Sequence, residues 1–179
     1  SRAREMYDKT NGAFDISVGA LYSCWLNDDR TLRQPSGEEL ARACELTGLD
    51  HLKLSDEDFS AEVLTEGVQF DLGGIGKGYA AEKMAEILRE WSLEQALVLA
   101  GASSVLSVSL PKDMTGWPIK LRHPVNREDV LARFELTEGA ISGSGNQKGQ
   151  HIIDVRSVEG VPVKGRLATW TMALDAVAA

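Results

Sequence analysis

A glycine-rich segment at residues 71–80, with the sequence DLGGIGKGYA, constrains the fold most strongly. Apolar residues alternate with polar or small ones at Val68, Phe70 and Leu72, which predicts a half-buried strand just before the glycines. Apolar residues then recur at helical spacing, which predicts one apolar helix face over Ala80, Met84, Ile87, Leu88 and Trp91. The segment is therefore predicted to form a strand, a glycine turn and a helix.

The same segment has the chemical features of a phosphate site. Four glycines fall within six residues, so backbone N–H groups can approach a ligand without an intervening Cβ atom. A helix start adds unpaired N–H donors and the positive end of the helix dipole, and Lys77 adds a full charge. Two standard phosphate motifs do not fit, because Asp71 replaces the first glycine of the P-loop and Tyr79 replaces the last glycine of the dinucleotide fingerprint. A tight structural turn that binds nothing is the alternative.

The composition is that of one globular domain over residues 1–179. With 179 residues the chain is long enough for a sizeable core, and 43% apolar and 26% charged residues are typical of a folded globular protein. Its net charge of −8 argues against nucleic acid or an anionic membrane surface as a general partner. Cys24 and Cys44 are isolated and give neither a zinc motif nor a disulfide framework. A local basic site for one phosphorylated ligand is still compatible with this charge.

The remaining patterns predict an α+β fold with a mixed or antiparallel sheet and flanking helices. Ser36 and Glu39 form a capping box, which predicts a helix that ends before Gly48. A continuous apolar run at residues 96–99 suits a strand buried on both faces. The other predicted elements are a helix at 2–8, a strand and glycine turn at 14–21, an antiparallel pair at 117–121 and 130–136, and strands at 105–110, 151–156 and 169–173. Residues 140–145 are predicted to form a short strand that runs into a small-residue turn.

Three turns of small residues, each after an apolar strand, are the candidate binding elements. They lie at residues 73–78, 101–104 and 142–145. If the strand ends gather at one edge, these turns build a pocket of amides and hydroxyls that suits a ligand with phosphates and a planar ring. His151 offers a base near neutral pH, although a strand would place it and Asp154 on opposite faces. Three ordinary turns and a surface histidine are the alternative.

Four sequence blocks together resemble the ApbE family of flavin transferases. The blocks are TNGAFDISVGAL at 10–21 followed by Trp25, DLGGIGKGYA at 71–80, AISGSG at 140–145, and HIID at 151–154. The resemblance implies a single ApbE-like, T-fold-related domain. It also implies a reaction, in which the FMN part of FAD is moved onto a threonine or serine hydroxyl of an acceptor protein, with Mg²⁺ bound and AMP released.

The resemblance also implies the site residues. His151 stands where the family has the base that acts on the acceptor hydroxyl, and the backbone carbonyl of Gly76 stands where the family holds the metal ion. Lys77 is expected either to clamp a phosphate or mainly to hold the loop. The implied FAD contacts are Asp71, Gly73, Gly74, Gly76, Lys77, Gly78, Tyr79, Ser142, Ser144, Gly145, His151 and Ile153.

The sequence departs from the family pattern at several places. Ser103 stands where the family has Asp or Asn after two glycines, and Gly143 replaces the threonine of S-T-S-G. The family's metal motif A-D-A-x-x-T is expected to begin at Ala179, so its aspartate and threonine would lie after residue 179. Asp175 is not assigned as a ligand. An N-terminal segment of the family also has no counterpart. We therefore expect a fragment that is incomplete at both ends and is inactive or weak alone.

Two alternatives to transfer stay open at this point. A relative could bind FAD, or hydrolyse it to AMP and FMN, without modifying a protein. A non-catalytic α+β interaction domain could instead use its glycine turns only for structure. For a transferase, the resemblance implies FAD as the substrate and acceptors such as membrane-bound electron-transfer subunits. It also implies a compartment that is often periplasmic, with a lipid anchor in the inner membrane.

Overall fold

Helices and antiparallel strands make up the fold. The computed structural model describes residues 1–55, 57–145, 152–157, 162 and 168–179. Its helices are α1 (Arg2–Lys9), α2 (Gly19–Trp25), α3 (Gly37–Glu45) and α4 (Gly76–Glu90), with a 3₁₀ turn at Leu49–His51. Its strands are β1 (Leu52–Ser55), β2 (Ser60–Val63), β3 (Leu97–Ala100), β4 (Ser104–Ser107), β5 (Trp117–Arg122), β6 (Val130–Leu136), β7 (Gly139–Gly145) and β8 (Ala168–Ala173). Among the described residues, no helix combines the length and the apolar character that crossing a membrane requires.

The chain forms two compact units, each built from two segments of the chain. Unit 1 comprises Ser1–Gly74 and Lys148–Gly165, and unit 2 comprises Ile75–Gln147 and Arg166–Ala179. The predicted α+β class, with antiparallel sheets and flanking helices, is confirmed. The single domain over residues 1–179 stays a prediction.

Unit 1 is mainly helical. The Ser36 hydroxyl accepts a hydrogen bond from the Glu39 amide at 3.1 Å, and the Glu39 carboxylate accepts one from the Ser36 amide at 2.8 Å, so the predicted capping box is confirmed. Helices α2 and α3 share a core that includes Leu21, which is 1% exposed. Burial of that side chain alone contributes about 2 kcal/mol to folding. Strands β1 and β2 pair antiparallel as a small separate sheet.

Helix α2 replaces part of the strand and glycine turn that were predicted at residues 14–21. The helix begins at Gly19, where a Cβ atom would lie 2.7 Å from the Gln69 carbonyl oxygen. Gly19 is therefore a packing residue at a helix start, and the sequence pattern alone misread it as a turn. The buried face of this helix repeats at helical spacing and comprises Ala20, Leu21, Cys24 and Trp25.

Unit 2 contains a four-stranded antiparallel sheet in the order β3-β4-β7-β8. Helix α4 packs on one face of this sheet. Strands β5 and β6 form a separate antiparallel pair, as predicted. Strand β8 likewise confirms the strand predicted at 169–173, and β7 includes the short strand predicted to begin at residue 140. The core shared by the helix and the sheet comprises Ala81, Ala85, Val98, Leu106, Ala140 and Ala176.

The buried face of α4 differs from the predicted apolar face. Small residues point to the core, namely Gly78, Ala81 and Ala85. The large residues predicted for that face are mostly exposed, since Leu88 packs on the core but Met84, Ile87 and Trp91 do not. The helix start lies so close to the segment around Ala176 that a Cβ atom at Gly78 would meet the Ala176 carbonyl oxygen. Close approach therefore selects small side chains, and the prediction from apolar spacing was wrong.

Two predicted strands and one predicted burial pattern were also wrong. Just before the glycine segment, Gln69 forms an isolated bridge to Val18 and the Asp71 amide donates to the Ile16 carbonyl, but these residues form no strand. Residues 152–156 form no strand, and Ile153 makes an isolated bridge with Pro162. Strand β3 forms where a strand was expected, but Leu99 is 62% exposed. Apolar residues were present in both predicted strands that did not form, but a strand also needs a neighbouring backbone along its whole length.

Candidate functional site

The Asp71 side chain closes the first half of the glycine segment, in unit 1. Its Oδ1 atom accepts a hydrogen bond from the Gly73 amide at 2.7 Å, and the Asp71 amide donates to the Ile16 carbonyl at 2.7 Å. A Cβ atom at position 73 would lie 2.8 Å from the same Oδ1 atom, so glycine is needed for the carboxylate to fold back on the backbone. Asp71 thus shapes the turn, and its contact with FAD stays a prediction.

The first two sequence blocks meet within unit 1. The Gly19 amide donates to the Gln69 carbonyl at 3.1 Å. The Phe14 ring lies 3.2 Å from the place that a Cβ atom of Gly74 would take. Residues 10–21 therefore support the start of the glycine segment.

Tyr22 and Asp154 are titratable groups of unit 1 with shifted pKa values. Burial raises the pKa of Tyr22 to about 12, and the Asp71 carboxylate adds to this shift. Hydrogen bonds from Arg156, including one at 3.1 Å from Nε to Oδ1, lower the pKa of Asp154. At neutral pH the phenol is uncharged, and the carboxylate is ionised and already engaged by a guanidinium.

The second half of the glycine segment forms the first turn of α4, in unit 2. Ile75 takes the N-cap position without a side-chain cap, and its carbonyl accepts a hydrogen bond from the Tyr79 amide at 2.9 Å. The amides of this first turn have no acceptors within the helix. A Cβ atom at Gly76 would have no neighbour within 4 Å, so this side of the turn is open to a ligand. Gly78, by contrast, is closed by packing.

Hydrogen bonds join the three small-residue segments within unit 2. The Lys77 ammonium donates to the Ser103 hydroxyl. The Ser103 carbonyl accepts from the Gly143 amide at 2.7 Å. The hydroxyls of Ser104 and Ser142 lie 3.0 Å apart. The structure thus brings together the unit 2 parts of segments 73–78, 101–104 and 142–145, which the sequence placed in three separate turns.

Lys77 keeps a charge that the described residues do not neutralise. Its hydrogen-bond partner is a neutral hydroxyl, and no carboxylate of the described residues forms an ion pair with it. The open amides near Gly76 and the positive end of α4 also favour a negatively charged ligand. Tyr79 follows on the exposed side of the helix, with Lys83 Nζ 5.6 Å from its ring centroid. This arrangement suits an anion such as a phosphate.

Residues 142–145 continue β7 instead of forming the predicted turn, so Ser142, Ser144 and Gly145 lie along a strand. Strand β8 pairs with them, and Trp170 lies directly opposite Gly143. Two atoms of the Trp170 indole lie 3.1 Å from the place that a Gly143 Cβ atom would take. The indole therefore fills the space that a threonine side chain would need at this position.

Asp175 caps a turn that packs against the start of α4. Its Oδ1 atom accepts hydrogen bonds from the Val177 and Ala178 amides at 3.0 and 2.8 Å. Glu82 on α4 accepts a hydrogen bond from the Ala176 amide at 2.6 Å. In the described ranges, no group of three or more His, Cys, Asp or Glu side chains is arranged to hold a metal ion. A metal ion here would rely on backbone oxygens together with one or two carboxylates.

His151 lies outside the described residues, so its role as a base stays a prediction. Ile153 is 8% exposed and packs in the core of unit 1, so a contact with FAD would involve its backbone. The sequence indicated Ser103 only as part of a small-residue segment, and it did not assign Asp175 as a ligand. It gave no signal for Trp170, whose position depends on strand pairing with a distant glycine.

Known proteins share both the sequence and the fold. The family model of the ApbE family matches residues 1–179. A curated FAD:protein FMN transferase of Klebsiella pneumoniae is 27% identical over 92% of this chain and 50% of its own length. The corresponding protein of Salmonella typhimurium is 31% identical over 88% of this chain and 47% of its own length.

Solved structures agree with this assignment. The ApbE protein of Thermotoga maritima is 31% identical, has a TM-score of 0.83, and is matched over 98% of this chain and 59% of its own. The flavin transferase ApbE of Vibrio cholerae, at 24% identity, shares the fold with a TM-score of 0.78 over 99% of this chain and 59% of its own. The chain spans about half the length of the curated relatives it matches. On its sequence and its fold, the chain belongs to the ApbE family.

Proposed function

We propose that the protein transfers the FMN part of FAD to a threonine or serine hydroxyl of an acceptor protein and releases AMP. The observation that carries the proposal is the link from Lys77 through Ser103 to Gly143, which holds a cation beside amides and hydroxyls. These groups suit the diphosphate of FAD. The name of the curated relatives, FAD:protein FMN transferase, supports the same reaction.

The proposed reaction is a phosphoryl transfer. The oxygen of the acceptor hydroxyl bonds to the phosphorus of the FMN half of FAD, the bond from that phosphorus to the bridging oxygen breaks, and AMP leaves with that oxygen. His151 is the proposed group that takes the hydroxyl proton. Positioning and neutralisation of charge do most of the work in such reactions, so Lys77 and the open amides near Gly76 would bind the phosphate oxygens.

We also propose that Mg²⁺ is held by the Gly76 carbonyl and the Asp175 carboxylate. Mg²⁺ prefers oxygen donors, and the contact between Gly78 and Ala176 keeps the two donor-bearing segments together. Asp175 and Ala179 also have the spacing of D-A-x-x-T, with alanine at the threonine position. We favour this alignment over a motif that begins at Ala179, because it includes the contact with the glycine segment. When bound, the ion supplies positive charge at the diphosphate.

The direct test supplies FAD, Mg²⁺ and an acceptor protein with one candidate threonine. From a chain extended past Ala179 to include both positions considered for the family's metal motif, we expect FMN on the acceptor, detected by mass spectrometry, and AMP in equal amount, detected by chromatography. From residues 1–179 alone we expect weak transfer or none. The same acceptor with valine in place of threonine is the matched control. AMP with free FMN but no adduct would instead indicate a hydrolase. Bound FAD without AMP would indicate storage, and no flavin binding would indicate a structural domain.

A further inference from the structure

We propose that Trp170 is a stacking platform for the isoalloxazine ring of the flavin. The inference rests on the proposed function, because it assigns the ring end of the same nucleotide site. Trp170 lies on β8, outside all four sequence blocks that resemble the family. Its assignment as a ligand contact therefore depends on the geometry of this chain.

The Trp170 indole rests on the backbone of β7 at a position that has no side chain. Gly143 and Trp170 are direct cross-strand partners, and indole atoms Cδ1 and Nε1 each lie 3.1 Å from the place of a Gly143 Cβ atom. Any larger residue at position 143 would displace the ring. Trp170 is nevertheless 36% exposed, so part of the indole remains accessible. An aromatic surface that is fixed on one side and open on another is suited to stacking with a planar ring.

Ser103 links the platform to the proposed phosphate site. The Ser103 carbonyl oxygen accepts the hydrogen bond of the Gly143 amide and lies 3.8 Å from the place of its Cβ atom. The Ser103 hydroxyl is the partner of the Lys77 ammonium. Ser103 therefore bonds both to the cation and to the backbone of the glycine on which the indole rests. A flavin nucleotide has a planar ring at one end and a phosphate at the other, so both ends find a matching group.

The chemistry of the two rings favours isoalloxazine over adenine as the occupant. Indole is electron-rich, and oxidised isoalloxazine is electron-poor, so their stacking gains electrostatic attraction in addition to burial of apolar surface. Such a pair also produces a charge-transfer absorption band at long wavelength, which adenine does not give. We therefore assign the flavin ring to Trp170. AMP, which carries only adenine, distinguishes the two rings in a binding experiment.

The test measures binding of FAD, FMN and AMP by tryptophan fluorescence and, independently, by equilibrium dialysis. We expect FAD and FMN to quench fluorescence, and AMP to leave it unchanged. Trp170→Ala should weaken FMN binding roughly tenfold, the size typical of one nucleotide ring stacked on an aromatic side chain. Trp170→Phe should keep most of the affinity and lose most of the quenching. Trp91→Phe, at an exposed tryptophan that ends α4, is the matched control and should change neither quantity.

Several results would overturn the inference. These are unchanged quenching in Trp170→Phe, unchanged FMN affinity in Trp170→Ala, or quenching by AMP but not by FMN. If Trp170→Ala does not fold, Gly143→Val provides a second variant, because its side chain displaces the indole; unchanged FMN affinity there would also contradict the proposal. If the unaltered protein retains no flavin in dialysis, the proposed function fails and this inference fails with it.

Discussion

Gly76 and Gly78 lie two residues apart in the first turn of α4, but their surroundings differ. A Cβ atom at Gly76 would contact nothing within 4 Å, whereas one at Gly78 would meet the Ala176 carbonyl oxygen, with Val177 Cα at 3.2 Å. Position 78 therefore needs glycine for packing. Glycine at position 76 leaves room for a ligand. The comparison shows that one glycine-rich segment combines a structural side and a ligand-facing side.

Gly78→Ala should have the largest effect on stability. The added methyl group would overpack against the Ala176 carbonyl, so we expect the free energy of unfolding to fall by about 3 kcal/mol, as urea denaturation would measure. Gly76→Ala is the matched control, and its free energy of unfolding should rise by about 0.5 kcal/mol because alanine is the better helix residue. Similar destabilisation by both substitutions would contradict the distinction between the closed and the open side.

Asp175→Asn tests whether the segment packed against Gly78 also contributes a Mg²⁺ ligand. We expect the rate of flavin transfer to fall on the order of 100-fold, with a higher Mg²⁺ concentration needed for the half-maximal rate. Stability should change little, because the asparagine oxygen can accept the same hydrogen bonds from Val177 and Ala178. Asp113→Asn, at an exposed carboxylate of unit 2, is the control. An unchanged Mg²⁺ dependence in Asp175→Asn would remove Asp175 from the metal proposal.

Ser103→Ala tests whether the Ser103 hydroxyl positions Lys77 for the ligand. The substitution removes the hydroxyl that holds Lys77 and keeps the carbonyl that binds the Gly143 amide. We expect FAD to bind about fivefold more weakly, which corresponds to one net hydrogen bond. Ser103→Thr should restore the affinity. If Ser103→Ala binds FAD as tightly as the unaltered protein, the hydroxyl does not position Lys77 for the ligand.

Tyr22→Phe should have the smallest effect, and it concerns the unit 1 half of the segment. The pKa of Tyr22 rises from 10.0 to about 12, so the folded state retains a proton that the unfolded state releases above pH 10. The stability due to this shift is fully present below pH 10 and is lost as the pH rises towards 12. Tyr22→Phe should reduce the loss of stability over this range in denaturation experiments. An identical alkaline decline in both proteins would show that the environment of Tyr22, including Asp71, is wrongly assigned.

The sequence predicted local features well where they depend on neighbouring residues. The capping box at Ser36 and the helix after the glycines needed only short spacings. The apolar face of α4 was wrong because contact with Ala176 selects small residues, and that contact joins distant parts of the chain. The strand before the glycines was wrong because the backbone pairing of the described residues there is limited to an isolated bridge at Gln69 and one hydrogen bond from Asp71 to Ile16.

The candidate site was predictable to a similar extent. The glycine segment, which contains Lys77, and the two other small-residue segments were identified from the sequence, and the contact of Lys77 with FAD stays a prediction. Its hydrogen bond to Ser103 could not be predicted, because it depends on how α4 packs beside the sheet. The pairing of Trp170 with Gly143 depends on the β7–β8 register, which no local pattern specifies. Recognition of the family came from motifs, and the geometry around them required the fold.

The dissociation constant of FAD for Lys77→Met shows whether the joined segments bind a nucleotide through a cation that no carboxylate of the described residues neutralises. Lys112→Met, at an exposed lysine of unit 2, is the matched control. We predict that Lys77→Met weakens FAD binding roughly tenfold or more, as expected for a charged hydrogen bond, with little change in Tm. FAD affinity that is unchanged while Tm falls would contradict the claim and would assign Lys77 to holding the loop.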